Sequence, residues 1–342
     1  MISQSFLSFV AKLKMMDKLI AQFSDQLTEA LAIGEKGQLS SSISEIKSVV
    51  VNGLGGSGIG GNLVAESVAD EMKVPMSVNK DYLVPAFVNE HTLLIISSYS
   101  GNTEETVEAI ETGLKRKAKI VCITSGGRIQ AIANANNLDC ILIPGGMPPR
   151  ACLAYSFVQQ LFVLSFHGLI SSAFKLQIQK AIELINHEES DVKSRAEKLA
   201  NDLREKLPII YINGKMESVA VRFRQQLNEN SKILCWHHTI PEMNHNELVG
   251  WRTKDDRLAV VLLRNENDFN RNQQRMEINK KIISEYTLNI HEIWSKGNSM
   301  IENALYLIHL TDWTSWYLAQ IRKVDAVEVK VIDFLKSELS KN

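Results

Sequence analysis

The sequence predicts an α/β protein made of two doubly wound parallel-sheet domains with flanking and linking helices, and three observations predict it. Short β-rich apolar runs alternate with helical stretches from Ser48 onward, the pattern that builds a parallel sheet covered on both faces. The alternation breaks for a long helical region and then restarts after Lys206, like a weak internal repeat of apolar strand, glycine turn and helix. The chain has 342 residues, too many for one ordinary core on a prior of roughly 100–200 residues per domain.

Taken in order, apolar residues at helical spacing predict an amphipathic helix from Met1 to about Ala32, within an N-terminal helical segment spanning 1–40. A first domain over 41–185 carries the strands "SVVVNG", "MSVN", "TLLIISS", "KIVCITS" and "CILIP", separated by helices such as "NLVAESVADEM" and "TEETVEAIETGLKRK". From Ala151 to about Lys206 the pattern is helical, and its apolar part, Ala151 to Phe174, carries Gln159, Gln160 and His167 near its middle. Those polar residues mark a buried helix rather than a membrane span. A second domain over 186–342 offers "LPIIYING", the helix "KMESVAVRFRQQLNEN", and the strands "KILCWHH", "LAVVLLR" and "TLNIHEIW", before a C-terminal helix.

Composition narrows the function classes. Hydrophobic residues at 45% and charged residues at 23% describe a globular chain, and a net charge of -1 lacks the Lys and Arg excess that a nucleic-acid surface needs. The four cysteines, Cys122, Cys140, Cys152 and Cys235, have no paired spacing, so reduced thiols and a cytoplasmic setting are expected. The N-terminus has no basic segment ahead of an unbroken apolar core, so no signal peptide is expected.

Three loops at predicted strand ends could hold an anion, since ligands of open parallel sheets bind outside the carboxyl ends of the strands. The first, "GLGGSGIGG", has the spacing Gly53, Gly55, Gly58 of a dinucleotide fingerprint, with Gly56 and Ser57 inside it and a helix expected from about Gly60. Backbone N–H groups at a helix start suit a pyrophosphate and a single phosphate equally. A dinucleotide would also want an acidic residue roughly 20 residues on, and Asp81 comes late for that role. The second loop, "SSYSGNTEET", supplies Ser98, Ser100 and Thr103 around a helix start, more hydroxyls than a cap by Asn102 or Thr103 requires. It favours one phosphate. The third, "CITSGGRI", with Thr124 and Ser125, reads equally as a plain turn.

The pair "GLGGSGIGG" and "SYSGNTEET" resembles the sugar isomerase (SIS) domain. With "PPRACLAYSF", "QLNENSK" and "PEMNHNELVGW" in the same order, nearly the whole chain resembles the bifunctional phosphoglucose/phosphomannose isomerase family. The resemblance implies an aldose–ketose isomerase interconverting glucose 6-phosphate and fructose 6-phosphate through a cis-enediolate, without metal, nucleotide or other cofactor. It implies that Gly56, Ser57, Ser98, Ser100 and Thr103 hold the phosphate. Glu229, flanked by Asn228 and Asn230, would move the proton, and Arg150, after two prolines, would stabilise the enediolate. His245, from the neighbouring subunit of a homodimer with shared sites, and Lys336 would open the ring. Near Lys336, with Lys323 and Lys330 close by, Ala326 and Val329 depart from the family pattern, which leaves mannose 6-phosphate open as a second substrate. Two other readings compete: a non-catalytic phosphosugar-binding regulator, which would have no use for Glu229, Arg150 and His245 together, and a nicotinamide-dependent dehydrogenase. His237, His238, Glu242 and His245 crowd within nine residues, yet adjacent residues on a strand point to opposite faces and the spacing matches no strong metal motif.

Overall fold

The computed structural model describes residues 15–40 and 45–341, so the first fourteen residues of the expected N-terminal helix lie outside the described residues. Val49, Val50 and Val51 have no solvent exposure, and neither do Leu93, Leu94, Ile95 and Ile96. Strands buried on both faces read as unbroken apolar runs, which is why these stretches stand out in the sequence. They form β1 (Ser48–Asn52) and β3 (Thr92–Ser98) of a five-stranded sheet completed by β2 (Met76–Asn79), β4 (Lys119–Thr124) and β5 (Asp139–Leu142). Every pairing is parallel and the order is β2-β1-β3-β4-β5. The winding reverses between β1 and β3, so the loops leaving these two neighbours flank the crevice where such sheets bind ligands.

A second parallel sheet holds β6 (Leu207–Asn213), β7 (Trp236–Ile240), β8 (Leu258–Arg264) and β9 (Ile290–Trp294) in the order β7-β6-β8-β9. The restart seen in the sequence is therefore a second doubly wound sheet. Of the described residues, those within 22–186 and 297–303 build one compact unit, and those within 15–21, 187–296 and 304–341 build the other. The helices Ala173–Asp202 and Met300–Arg322 carry residues of both.

Three expected boundaries shift. The helix of the first glycine loop begins at Gly55, ahead of Gly60, because its glycines spend their missing side chains on close packing: a Cβ on Gly60 would lie 2.6 Å from Ser156 Oγ and one on Gly61 2.9 Å from Val51. The strand expected over 232–238 starts at Trp236, after Lys232 takes a left-handed φ of 56°. The long helical region is cut at Gly168, with φ of 69°, into Leu153–Phe166 and Ala173–Asp202, a glycine ending the helix in the usual left-handed way. In the first piece, Gln159 Nε2 donates to Ala30 O at 2.7 Å and Tyr155 Oη to Glu29 Oε2 at 2.5 Å, joining it to the helix Phe23–Lys36. Among the described residues no helix is long and apolar enough to cross a membrane.

Candidate active site

Two helices begin at the crevice between β1 and β3. Gly55–Val68 starts after Leu54, which has no side chain able to cap, and Glu104–Lys115 starts after Thr103, whose hydroxyl makes no cap bond. Both N-termini thus aim helix dipoles and N–H groups at one crevice with no side-chain cap at either. Ser98 Oγ instead donates to Thr103 Oγ1 at 3.1 Å, and Asn102 N donates to Ser100 Oγ at 3.3 Å. Asn102 Oδ1 is spent on the next helix, accepting from Arg128 N at 3.0 Å. Ser57 and Ser98 are buried, Thr103 is half-buried and Ser100 is exposed. Glu104 is engaged with Tyr82, whose Oη donates to Glu104 Oε2 at 3.1 Å.

Sequence reasoning missed the residue that joins these loops. Tyr99 N donates to Ser57 Oγ at 3.2 Å, Tyr99 O accepts from Ser125 Oγ at 2.7 Å, and Tyr99 Oη accepts from Met147 N at 3.1 Å. All three strand-end loops and the chain leading to Arg150 therefore meet at one tyrosine, whose phenol burial holds well above its usual pKa. Thr124 Oγ1 donates to Gly126 O at 2.8 Å, which closes the third loop on itself as a turn. Gly101, with φ of 66°, is wedged where a Cβ would lie 1.7 Å from Gly126 O. Arg150 is buried in the 3-10 turn Pro149–Ala151, and Gly56 faces that turn so closely that a Cβ would lie 2.9 Å from Pro149 O.

In the other unit, Glu229 is the last residue of the helix Glu217–Glu229 and is half-buried. Asn228 and Asn230 pin the chain around it: Asn228 Nδ2 donates to Ile233 O at 2.7 Å, and the fully buried Asn230 donates to Ser315 Oγ at 2.9 Å. Lys232 Nζ donates both to Glu229 O and, at 2.6 Å, to Glu328 O, which brings the segment Asp325–Val329 beside the end of that helix. Asp325 Oδ1 accepts from Val327 N and Glu328 N to turn this segment, and Ala326 is buried in it. Lys336 follows on the exposed helix Lys330–Leu339.

His245 is exposed and ends a 3-10 turn beyond the carboxyl end of β7. Glu229 ends the helix that precedes β7 and His245 ends the turn that follows it, so the two residues flank β7 in the chain. The remaining polar residues nearby are engaged locally. His237 Nε2 lies 3.3 Å from Glu217 Oε1, His238 Nδ1 accepts from Thr239 N, and Glu242 Oε1 accepts from Asn246 Nδ2. Burial, with Arg224 adding to it, holds the His237 pKa below its usual value. Among the described residues no group of three or more His, Cys, Asp or Glu side chains is placed to hold a metal ion, and none of the four cysteines is in a disulfide.

The second sheet has its own switch point, between β6 and β8. Asn213 Oδ1 accepts from Lys215 N at 3.1 Å, and Asn265 Oδ1 accepts from Asn267 N at 2.9 Å. Burial raises the Asp268 carboxyl to about 6 there, against a hydrogen bond from Asn213 and the Arg264 charge.

A family model described as a bacterial phospho-glucose isomerase C-terminal SIS domain matches residues 192–339, and an SIS domain model matches residues 42–168. A bifunctional phosphoglucose/phosphomannose isomerase of Caldicellulosiruptor bescii is 39% identical over 327 residues, 92% of this chain and 96% of the relative. One from Aquifex aeolicus is 33% identical over 299 residues, 86% and 91% of the two chains. Among solved structures, a hypothetical protein from Thermus thermophilus superposes with a TM-score of 0.77 at 16% identity, covering 99% of this chain and 95% of that one, a likeness of fold.

Proposed function

Because this chain belongs to the bifunctional phosphoglucose/phosphomannose isomerase family, we propose that it interconverts glucose 6-phosphate and fructose 6-phosphate, and mannose 6-phosphate with the same ketose. The observation that carries the phosphate assignment is the crevice between β1 and β3, where two helix N-termini without side-chain caps meet three serines and a threonine. Helix N-termini attract anions, and Ser57, Ser98, Ser100 and Thr103 add hydroxyls that can donate to phosphate oxygens while the Gly56 backbone comes close. A single phosphate fills such a nest, so the dehydrogenase reading loses its main support.

With the phosphate held, the chemistry is proton transfer between C1 and C2 of the opened sugar. Glu229 takes the proton from one carbon and returns it to the other, as a carboxylate positioned within hydrogen-bond reach can do. Negative charge then develops on the enediolate oxygens, and the buried Arg150 guanidinium, fixed by two prolines, stabilises it. Removing one such group typically costs about 3–4 kcal/mol of barrier. His245 and Lys336 give and take the protons that open the ring, histidine being suited to this near neutral pH.

In this reading the protein is a homodimer in which each sugar meets Glu229 of one copy and His245 of the other. We assign residues 41–185 and 186–342 to the two SIS domains, and four cysteines outside any disulfide support a reducing cytoplasmic setting. A regulator that only bound phosphosugars would gain nothing from a pinned Glu229. Conversion of fructose 6-phosphate to both aldose phosphates, followed with EDTA present and no nucleotide added, tests the function directly. Turnover under those conditions is expected, and failure of the intact protein to turn over either aldose overturns it.

A further inference from the structure

The loop that carries His245 is anchored on both sides of it far more firmly than an exposed turn requires. Asn244 Nδ2 donates to Asn279 Oδ1 at 2.7 Å, and Asn279 is buried in the helix Asn270–Ile283. Asn246 Oδ1 accepts from Glu247 N at 2.5 Å. Glu247 then reaches back to the sheet: its Oε1 accepts from Tyr211 Oη at 2.5 Å and from Trp236 Nε1 at 3.1 Å, while Trp251 Nε1 donates to Tyr211 Oη at 3.2 Å. Tyr211 is fully buried in β6 and Trp236 opens β7, so one carboxylate oxygen ties the turn after β7 to two strands. Burial and the Glu247 carboxylate hold the Tyr211 phenol well above its usual pKa, so it stays a donor at every working pH. His245 alone in the run Asn244–Glu247 presents its side chain outward without such an anchor.

We propose that Glu247 is a positioning residue for His245: clamped between Tyr211 Oη and Trp236 Nε1, it fixes the turn that presents the imidazole to the sugar ring. The inference rests on His245 acting in ring opening. Carboxylate is the group that fits, because it accepts two neutral N–H and O–H donors at one oxygen without competing for a proton. A ring-opening group displaced by about an ångström loses rate by as much as about 100-fold, so the anchors matter to chemistry and not only to folding.

The test separates ring opening from proton transfer. Ring opening and closing alone interconverts the α and β anomers of glucose 6-phosphate, and exchange NMR reads that rate without any isomerisation. Glu247→Ala is expected to slow anomer exchange and isomerisation together, by about 10-fold or more, with KM unchanged. Glu247→Gln, which keeps an acceptor oxygen, is expected to restore most of both rates. A purely structural role would lower the amount of folded protein and leave the rates per folded molecule alone, and that result overturns the proposal. If Glu247→Ala does not fold, Trp236→Phe removes one of the two donors and is read in its place, with slowed anomer exchange expected and an unchanged rate contradicting the clamp. His245→Ala in parallel keeps the two ideas apart: loss of exchange there with none in Glu247→Ala overturns the clamp only, whereas intact exchange in His245→Ala removes the ring-opening role itself.

Discussion

Replacing Gly56 with alanine should damage activity much more than stability. Its Cβ would lie 2.9 Å from Pro149 O and 3.3 Å from Pro149 C, about half an ångström inside the 3.4 Å at which ordinary contact begins. Both atoms are backbone, so relief comes only by moving the turn Pro149–Ala151 and Arg150 with it. Pushing a methyl into a packed site costs about 1–3 kcal/mol. Alanine in a helix returns about 1 kcal/mol relative to glycine. The net loss is therefore about 0–2 kcal/mol, a shift of a few degrees in melting temperature. A guanidinium moved by that half ångström should lower kcat/KM by about 10-fold, since a full ångström can cost about 100-fold. Steady-state kinetics on fructose 6-phosphate and thermal melts on the same samples read both quantities. Gly168→Ala serves as control: its φ of 69° makes alanine cost about 1–2 kcal/mol, but nothing lies within 4 Å, so activity per folded molecule should stay intact. Wild-type kcat/KM in Gly56→Ala would refute the link between the first glycine loop and Arg150.

Ser57→Ala removes the acceptor of the buried Tyr99 N–H. It should cost about 1–3 kcal/mol in urea unfolding and raise KM, with weaker inhibition by inorganic phosphate; unchanged inhibition would take Ser57 out of the phosphate site. Tyr99→Phe frees Met147 N and should lower kcat with about 1 kcal/mol of stability lost, whereas unaltered kinetics would show that this tie does not position Arg150. Asp268 has its carboxyl raised from 3.8 to about 6 by burial, so folding favours its neutral form. The resulting penalty is absent below the lower value, grows as pH rises through the window, and is complete above about 6. Asp268→Asn should accordingly stabilise the protein by up to about 3 kcal/mol above neutral pH and by little in acid, and a stabilisation that does not grow with pH would contradict the burial effect.

The strands were legible because double burial leaves continuous runs such as "VVV" and "LLII", which no amphipathic surface helix produces. The first two strand-end loops were legible for a different reason: hydroxyls beyond what capping needs, set beside glycines. What local spacing does not encode is contact at long range. Gly56 meets Pro149 across more than ninety residues, and Tyr99 looks like one more aromatic until its backbone and phenol are seen to join four segments. Asn228 and Asn230 flank Glu229 in sequence, but that Asn228 also secures Ile233 O and Asn230 also secures Ser315 Oγ, more than eighty residues on, is visible only in the folded chain. Glu247 reads as a surface acid in sequence and becomes an anchor only once β6 and β7 pair. Helix starts in glycine-rich stretches also resist reading, since tertiary packing at Gly60 and Gly61 overrides poor helix propensity.

Glucose 6-phosphate carrying deuterium on C2, converted by the intact protein in ordinary water and followed by NMR alongside Glu229→Gln, tests the central claim most directly. Proton transfer through an enediolate by Glu229 predicts partial loss of the label to water, with the rest appearing on C1 of fructose 6-phosphate, and near-complete loss of turnover in a folded Glu229→Gln. Full retention of the label, or turnover by Glu229→Gln at the rate of the intact protein, would contradict it.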